Sequence, residues 1–249
     1  MMYNNLLFLR TARRRLSSVK RVVVFGSGKG GVGKSVVSAA TALALSEKGY
    51  RVGLLDLDVH GPSSARILKP EGRPSGSKHG IRPVNAGGVE LMTVEFFLGD
   101  LPLPLSGGAK TSLVAELLMN VDWGEKDFLV VDLPPGLGDE TIVPLRVLKS
   151  LAHTFLVVTS PSALSYSVVR RLLSFLVEER VNVGGLVVNY VSPVGEESYV
   201  ERLEEEFGII ALARIPFDEK MEAAISERNV KLAETFFNAV RLLSEVLAR

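Results

Sequence analysis

The chain has 249 residues, 47% of them hydrophobic and 23% charged, with a formal net charge of +1, no cysteine and no glutamine. This length suits one α/β domain, and a charge so near neutrality excludes a broad field steering the whole protein onto nucleic acid. Without cysteine, the chain itself offers no disulfide, thiolate zinc site or cysteine-ligated iron–sulfur cluster, and no apolar run reaches the roughly 18 residues of a membrane span, so a soluble, cytoplasmic protein is expected.

Residues 1–20 (MMYNNLLFLRTARRRLSSVK) carry Arg10, Arg13, Arg14, Arg15 and Lys20 and no acidic residue. Such a start suits a transit peptide, a basic helix on a membrane surface, or a solvated extension ahead of the first strand. With no cleavage-site signal, the extension is the preferred reading. Any membrane or DNA contact is assigned to this segment alone, and residues 21–249 are read as a single domain.

Arg21–Phe25 (RVVVF) is a β-branched run of the kind that makes a strand buried on both faces, and Ser35 opens a helix-forming segment. Between them, Gly28, Gly33, Lys34 and Ser35 satisfy G-x-x-x-x-G-K-[ST], a phosphate-binding loop. Its glycines let backbone N–H groups approach phosphate oxygens, and the following helix points its positive end at the anion. Lys34 can reach β- and γ-phosphates, and the Ser35 hydroxyl is a hard ligand for Mg²⁺. The expected nucleotide cradle comprises Gly28, Lys29, Gly30, Gly31, Val32, Gly33, Lys34, Ser35 and Val36. Lys29 is a second lysine in this loop, read from spacing alone as either a solvated side chain or a functional cation.

Gly49 is expected to end the helix, and Arg51–Leu57 to form a second buried strand with Asp56 and Asp58 at its carboxyl end. Carboxylates there, beside a phosphate-loop strand, stand where open parallel sheets collect ligands. Residues 69–88 are dense in Gly and Pro and read as a long irregular excursion. Further strands are expected at Val89–Phe97, Asp127–Leu133, Thr154–Thr159, Val183–Asn189 and Ile209–Ile215, with a Pro/Gly connector over Leu101–Gly108 and helices over Lys110–Val121 and Thr141–Leu151. From Lys231 to Arg249, the apolar stripe Leu232, Phe236, Val240, Leu243 and Leu247 suits a helix packed on the sheet. The alternation predicts a three-layer α/β fold around a mostly parallel, doubly wound sheet of about seven or eight strands.

Asp132, ending the LVVD run, fits a carboxylate that holds Mg²⁺ through its water shell, and the Gly136 N–H is a candidate γ-phosphate sensor. Asp58 is the candidate for positioning or activating the attacking water and for contact with the metal. Asp56 is read as supporting Mg²⁺ or the loop from behind, or as a cap of the following turn. His60 and His79 have poor spacing for a metal site and are expected to be exposed polar residues.

The string Lys29-Gly-Gly-Val-Gly-Lys34-Ser35 resembles the deviant Walker A motif of the MinD/ParA/nitrogenase iron-protein class of dimeric ATPases. That resemblance implies a homodimer in which Lys29 reaches the phosphates bound by the partner subunit, as an arginine finger does in trans. Asp56-x-Asp58-x-x-Gly61-Pro62-Ser63, Val121-Asp122-Trp123-Gly124 and Asp132-Leu-Pro-Pro-Gly136-x-Gly138-Asp139 narrow the resemblance to the Mrp/ApbC branch, over roughly residues 20–230. Its members are taken to be ATP-dependent iron–sulfur cluster carriers or assembly scaffolds, which implies ATP and Mg²⁺ as cofactors and an assembly or apo-protein partner. The same resemblance assigns adenine contacts to Asn189 and Pro216. The chain departs from the branch at Leu137, where Thr is usual, and in Tyr190–Glu196, where the branch carries a Cys-x-x-Cys pair. A cluster is therefore not expected to be held by this chain alone. The other outputs kept open are a ParA/MinD-like positioning ATPase on DNA or membrane and a subunit that binds ATP without turning it over.

Overall fold

The structure is a computed structural model that describes residues 6–98, 106–149, 151–192 and 198–249. Its elements in chain order are α1 (Leu6–Leu16), β1 (Val19–Ser27), α2 (Lys34–Glu47), β2 (Val52–Asp56), α3 (Ser64–Ile67), β3 (Ser75–Ser77), β4 (Gly80–Arg82), β5 (Val84–Ala86), β6 (Val89–Thr93), α4 (Glu95–Leu98), α5 (Gly107–Asn120), β7 (Lys126–Asp132), α6 (Asp139–Leu148), β8 (Ala152–Thr159), α7 (Ala163–Glu178), β9 (Val183–Val191), α8 (Ser198–Phe207), β10 (Ala211–Pro216), α9 (Met221–Ser226) and α10 (Glu234–Ala248).

Eight strands pair in the order β10-β9-β8-β1-β7-β2-β6-β5. All neighbours are parallel except the edge strand β5, which runs antiparallel to β6. Successive residues of the central strands point to opposite faces, as the period of two requires. Val22 and Val24 of β1 and Leu129 and Val131 of β7 face the layer that holds α1, α5, α6, α7 and α8. Val23, Phe25, Phe128 and Val130 face the layer of α2 and α10. Both faces are covered, which is why these strands read as unbroken apolar runs. After β1 the chain crosses to β2 on one side, and β8, β9 and β10 later fill the other. The ends of β1 therefore meet the crevice where open α/β sheets bind ligands.

Three expectations change. The amino-terminal segment packs on the domain rather than extending into solvent: Ala12 and Leu16 are buried against α5 and α6, and Arg15 Nε donates 2.8 Å to the Met119 carbonyl. Residues 1–5 lie outside the described residues. The 69–88 excursion contains the β3–β4 hairpin and the edge strand β5. Strand β6 stops at Thr93, because the Thr93 hydroxyl accepts from Glu95 N at 3.2 Å and turns the chain into α4. Part of the Leu101–Gly108 connector, residues 101–105, lies outside the described residues.

The Val121–Gly124 motif does structural work. Trp123 is buried over β2, and a Cβ on Gly53 would come within 2.7 Å of its ring. Among the described residues, no helix is long and apolar enough to cross a membrane.

Candidate functional site

The loop after β1 closes onto α2 around a cavity of about 410 Å³, lined by residues that include Lys29, Gly31, Lys34, Ser35, Asp58 and Tyr190. Gly33 is the N-cap of α2, with φ 78° and no side-chain cap, so the first N–H groups of the helix have no protein cap. A side chain at Gly33 is excluded twice. Positive φ disfavours one, and its Cβ would lie 2.2 Å from Asn189 Nδ2. Gly28 is a glycine for another reason, since a Cβ there would meet the Val168 backbone at 2.8 Å. A Cβ at Gly30 or Gly31 would meet no other described residue within 4 Å, so these positions leave the loop backbone open.

Parallel register brings Asp56 of β2 beside Asp132 of β7, and Asp132 beside Phe25 of β1, at the carboxyl edge of the sheet. Lys34 Nζ donates to Asp132 Oδ1 at 2.7 Å and to the Ser35 hydroxyl at 3.3 Å, and lies 3.6 Å from Asp58 Oδ2. Burial acts to lower the Lys34 pKa, but the charges of Asp132 and then Asp58 outweigh it, and the net shift is upward. Burial pushes the Asp132 carboxyl up to about 6 against the pull of Lys34. Asp132 Oδ2 is buried and has no hydrogen-bond partner among the described residues. A buried, half-satisfied carboxylate is costly and needs a further partner.

Asp58 Oδ1 accepts from the backbone N–H groups of His60 at 3.0 Å and Gly61 at 3.2 Å, while Oδ2 faces Lys34. Asp58 thus fixes its own turn and presents one oxygen to the cavity. Asp56 caps the turn that follows β2 and so supports Asp58 from behind. Fully buried, it accepts from Asp58 N at 3.0 Å, Ser64 N at 3.2 Å and the Thr93 hydroxyl at 3.3 Å, bracing the turn that carries Asp58. Burial raises its pKa.

The remaining predicted residues divide. Lys29 lines the cavity, as do Gly30, Val32 and Val36. The Gly136 N–H, assigned to a γ-phosphate, is committed here to the Ser27 carbonyl at 2.8 Å. Asn189 is buried and lies against Gly33, but its Nδ2 donates to the Val32 carbonyl at 3.0 Å. Its Oδ1 is buried and has no partner among the described residues, and the second N–H of the amide is not taken by the Val32 carbonyl. Pro216 ends β10 beside Val191 and is exposed. Of the departing segment Tyr190–Glu196, residues 193–196 lie outside the described residues.

His60 lines the cavity and is engaged: its Nε2 pairs with Glu140 Oε1 at 2.7 Å, which ties the Asp58 turn to the first turn of α6. Glu140 was missed by sequence reasoning because its partner lies 80 residues away. His79 is exposed on the β3–β4 turn, and among the described residues no group of three or more His, Cys, Asp or Glu has metal-holding geometry. Tyr190 and Phe217 were missed too; a φ of 60° on an aromatic residue leaves no mark in a sequence.

Residues 18–246 match the ParA family described as NUBPL iron-transfer P-loop NTPases. The iron–sulfur cluster carrier protein of Aquifex aeolicus is 34% identical over 258 residues, spanning 94% of this chain and 70% of that protein. A cytosolic Fe-S cluster assembly factor, the NUBP2 homologue of Dictyostelium discoideum, is 34% identical and spans 92% of both chains. The solved nucleotide-binding protein of Archaeoglobus fulgidus, in complex with ADP, superposes with a TM-score of 0.77 at 28% identity, covering 92% of this chain and 95% of its own. With a phosphate loop at the switch point of the sheet and a match along almost its whole length, the chain belongs to the NUBPL iron-transfer P-loop NTPases.

Proposed function

We propose that the protein is a homodimeric switch that binds Mg²⁺-ATP, hydrolyses it to ADP and phosphate, and so assists iron–sulfur cluster assembly or transfer in the cytoplasm. The observation that carries this reading is Lys34, held between Asp132 and Asp58 beneath an open glycine loop. Lys34 Nζ has three donors, enough to keep Asp132 while binding a phosphate oxygen. The donor set also fits Mg²⁺. The orphaned Asp132 Oδ2, the Ser35 hydroxyl and the Asp58 oxygen that faces Lys34 are hard ligands, and Mg²⁺ needs only one or two carboxylates beside waters and phosphates. When bound, the ion would supply neutralisation of the negative charge on the nucleotide phosphates.

In this reading Asp58 orients the attacking water with the oxygen that its own turn leaves free. Lys29, on the rim, crosses to the triphosphate of the second subunit. Asn189 and Pro216 border the adenine. The iron–sulfur cluster is cargo: with no cysteine in the chain, its thiolates come from an assembly or apo-protein partner. The cytosolic name of the Dictyostelium relative supports the compartment.

A phosphate-release assay with Mg²⁺-ATP tests the enzymatic part. Turnover that disappears in Lys34→Ala is expected, and release no faster than in a protein-free blank overturns it. Anaerobic reconstitution with iron and sulfide, followed by iron analysis, tests the cargo part. Stoichiometric uptake by the isolated chain would show that the partner's thiolates are not required.

A further inference from the structure

Two loops frame the buried Lys34: the turn after β2, which bears Asp58, and the loop that runs from Asp132 to α6. The second is anchored to the body of the domain. The Gly136 N–H donates to the Ser27 carbonyl at 2.8 Å, and in the first turn of α6 the buried Thr141 hydroxyl donates to the Pro134 carbonyl at 3.3 Å. The Asp58 turn is braced mainly from within, by Asp56 and by the two N–H groups that Asp58 Oδ1 accepts. Between the loops runs a side-chain contact that neither core packing nor phosphate binding uses, His60 Nε2 to Glu140 Oε1 at 2.7 Å.

The surroundings fix both partners of that contact. Lys110 Nζ of α5 lies 3.5 Å from His60 Nδ1, and an ammonium only donates, so Nδ1 accepts and the ring proton stands on Nε2, facing the carboxylate. The Glu140 carboxylate in turn folds back over Gly138, where a Cβ would come within 2.5 Å of Oε1. Any larger residue at that position would therefore push the carboxylate away from His60.

We propose that His60 and Glu140 form a latch that holds the Asp58 turn against the anchored Asp132 loop, and that both are positioning residues for hydrolysis. The inference rests on the hydrolytic reading above and adds to it the residues that keep the water-orienting carboxylate in place. His60 N donates to Asp58 Oδ1, so a displacement of residue 60 reaches Asp58 through one hydrogen bond, while the other Asp58 oxygen faces Lys34. Misplacing a reacting group by about 1 Å costs on the order of 10²-fold in rate. The contact itself, with the His60 side chain 45% exposed, contributes little to stability. The latch thus acts on turnover more than on folding.

The test is phosphate release by the full chain against Mg²⁺-ATP concentration, for the parent, His60→Ala, His60→Gln, Glu140→Ala, Gly138→Ala and the combined His60→Ala/Glu140→Ala variant, with the Tm of each and its affinity for ADP by calorimetry. In His60→Ala and in Glu140→Ala, kcat is expected to fall about 10²-fold with KM and ADP affinity unchanged. The combined variant should fall no further, because the same contact is lost in all three. His60→Gln, whose amide N–H takes the place of the ring N–H, should recover most of the rate. Gly138→Ala, at a φ of −73° that any residue adopts, should lower kcat alone by displacing Glu140. Losses that multiply in the combined variant would make the two residues independent and overturn the latch. Unchanged kcat in either single alanine variant would overturn it too, as would a rise in KM at constant kcat, which makes His60 a contact of the nucleotide. A fall in kcat that tracks a fall in Tm, with no recovery in His60→Gln, would reduce the contact to a structural tie. Each of those results leaves hydrolysis by the parent standing, whereas a parent that releases no phosphate removes the hydrolytic reading itself.

Discussion

Strand β7 carries an aspartate near each end, and the two meet opposite fates. Asp127, at the amino end, accepts from Lys20 Nζ at 2.8 Å and from Arg51 N at 2.9 Å, and these partners hold its carboxyl well below the usual range. Asp132, at the carboxyl end, is wholly buried and pushed up to about 6. One strand thus uses the same side chain to tie the surface together at one edge and, at the other, to hold a buried carboxylate with one oxygen unpartnered. The two ends of the strand differ in one respect: both Asp127 oxygens are paired, and one Asp132 oxygen is left over.

The largest effect is expected at the carboxyl rim, in catalysis. If Lys29 acts across a dimer, Lys29→Ala lowers turnover on the order of 10³-fold or more, the loss typical of an arginine finger, while ATP binding persists. Single-turnover phosphate release measured above and below the dimerisation concentration checks this. An unchanged rate would return Lys29 to the role of a solvated side chain.

The next effect is in stability at the same rim. Asp132→Ala leaves the buried Lys34 ammonium with Asp58, at 3.6 Å, as its nearest carboxylate, and is expected to cost about 3–5 kcal/mol, the usual loss on breaking a buried pair. Replacing both partners, as Lys34→Met with Asp132→Leu, should recover most of that loss while abolishing phosphate release. Urea unfolding of the parent and the two variants measures the difference. A double variant no more stable than Asp132→Ala would mean that Asp132 does not store charge for function.

At the amino rim, α1 offers the contrast of pure packing. Leu16 is 3% exposed within the α5 layer, and Leu16→Ala is expected to cost about 2–5 kcal/mol without altering the affinity for ATP in the folded protein. A loss within experimental error would mean that α1 detaches freely, which would revive the extension reading.

What the sequence made legible follows the same divide. The phosphate loop, Asp58 and Asp132 stand at the ends of largely apolar runs, where local pattern and site coincide. Their partners are another matter. Asp56 shares a motif with Asp58, yet only the fold reveals that its oxygens are consumed by Asp58 N, Ser64 N and the Thr93 hydroxyl. The His60–Glu140 contact and the Tyr190–Phe217 pair join residues from separate elements, and no local periodicity announces them. Strands β3, β4 and β5 are three residues each among Gly and Pro, too short to show alternation. The docking of α1 was hidden because its arginines dominate the segment while only a few small and apolar positions, such as Ala12 and Leu16, seat it.

The smallest effect isolates Asp127 and fixes the sign of the comparison. Its pKa is depressed in the folded protein, chiefly by the Lys20 hydrogen bond and then by the Arg51 backbone, so the unfolded chain binds a proton first as pH falls. Its contribution is therefore complete above the ordinary carboxylate value of 3.8 and is lost as pH drops below it. Asp132 runs the other way: its ionisation works against the folded state as pH rises from 3.8 through about 6. Asp127→Asn should accordingly lower Tm at pH 7 by a small amount, as befits a pair of which Lys20 is 69% exposed, and the difference from the parent should shrink in buffers taken below pH 3.8. It should also shrink at pH 7 as salt rises, because exposed charges are screened while the buried Lys34–Asp132 pair is not. A Tm difference that grows on acidification would assign the depressed carboxyl to another residue and remove the contrast between the two ends of β7.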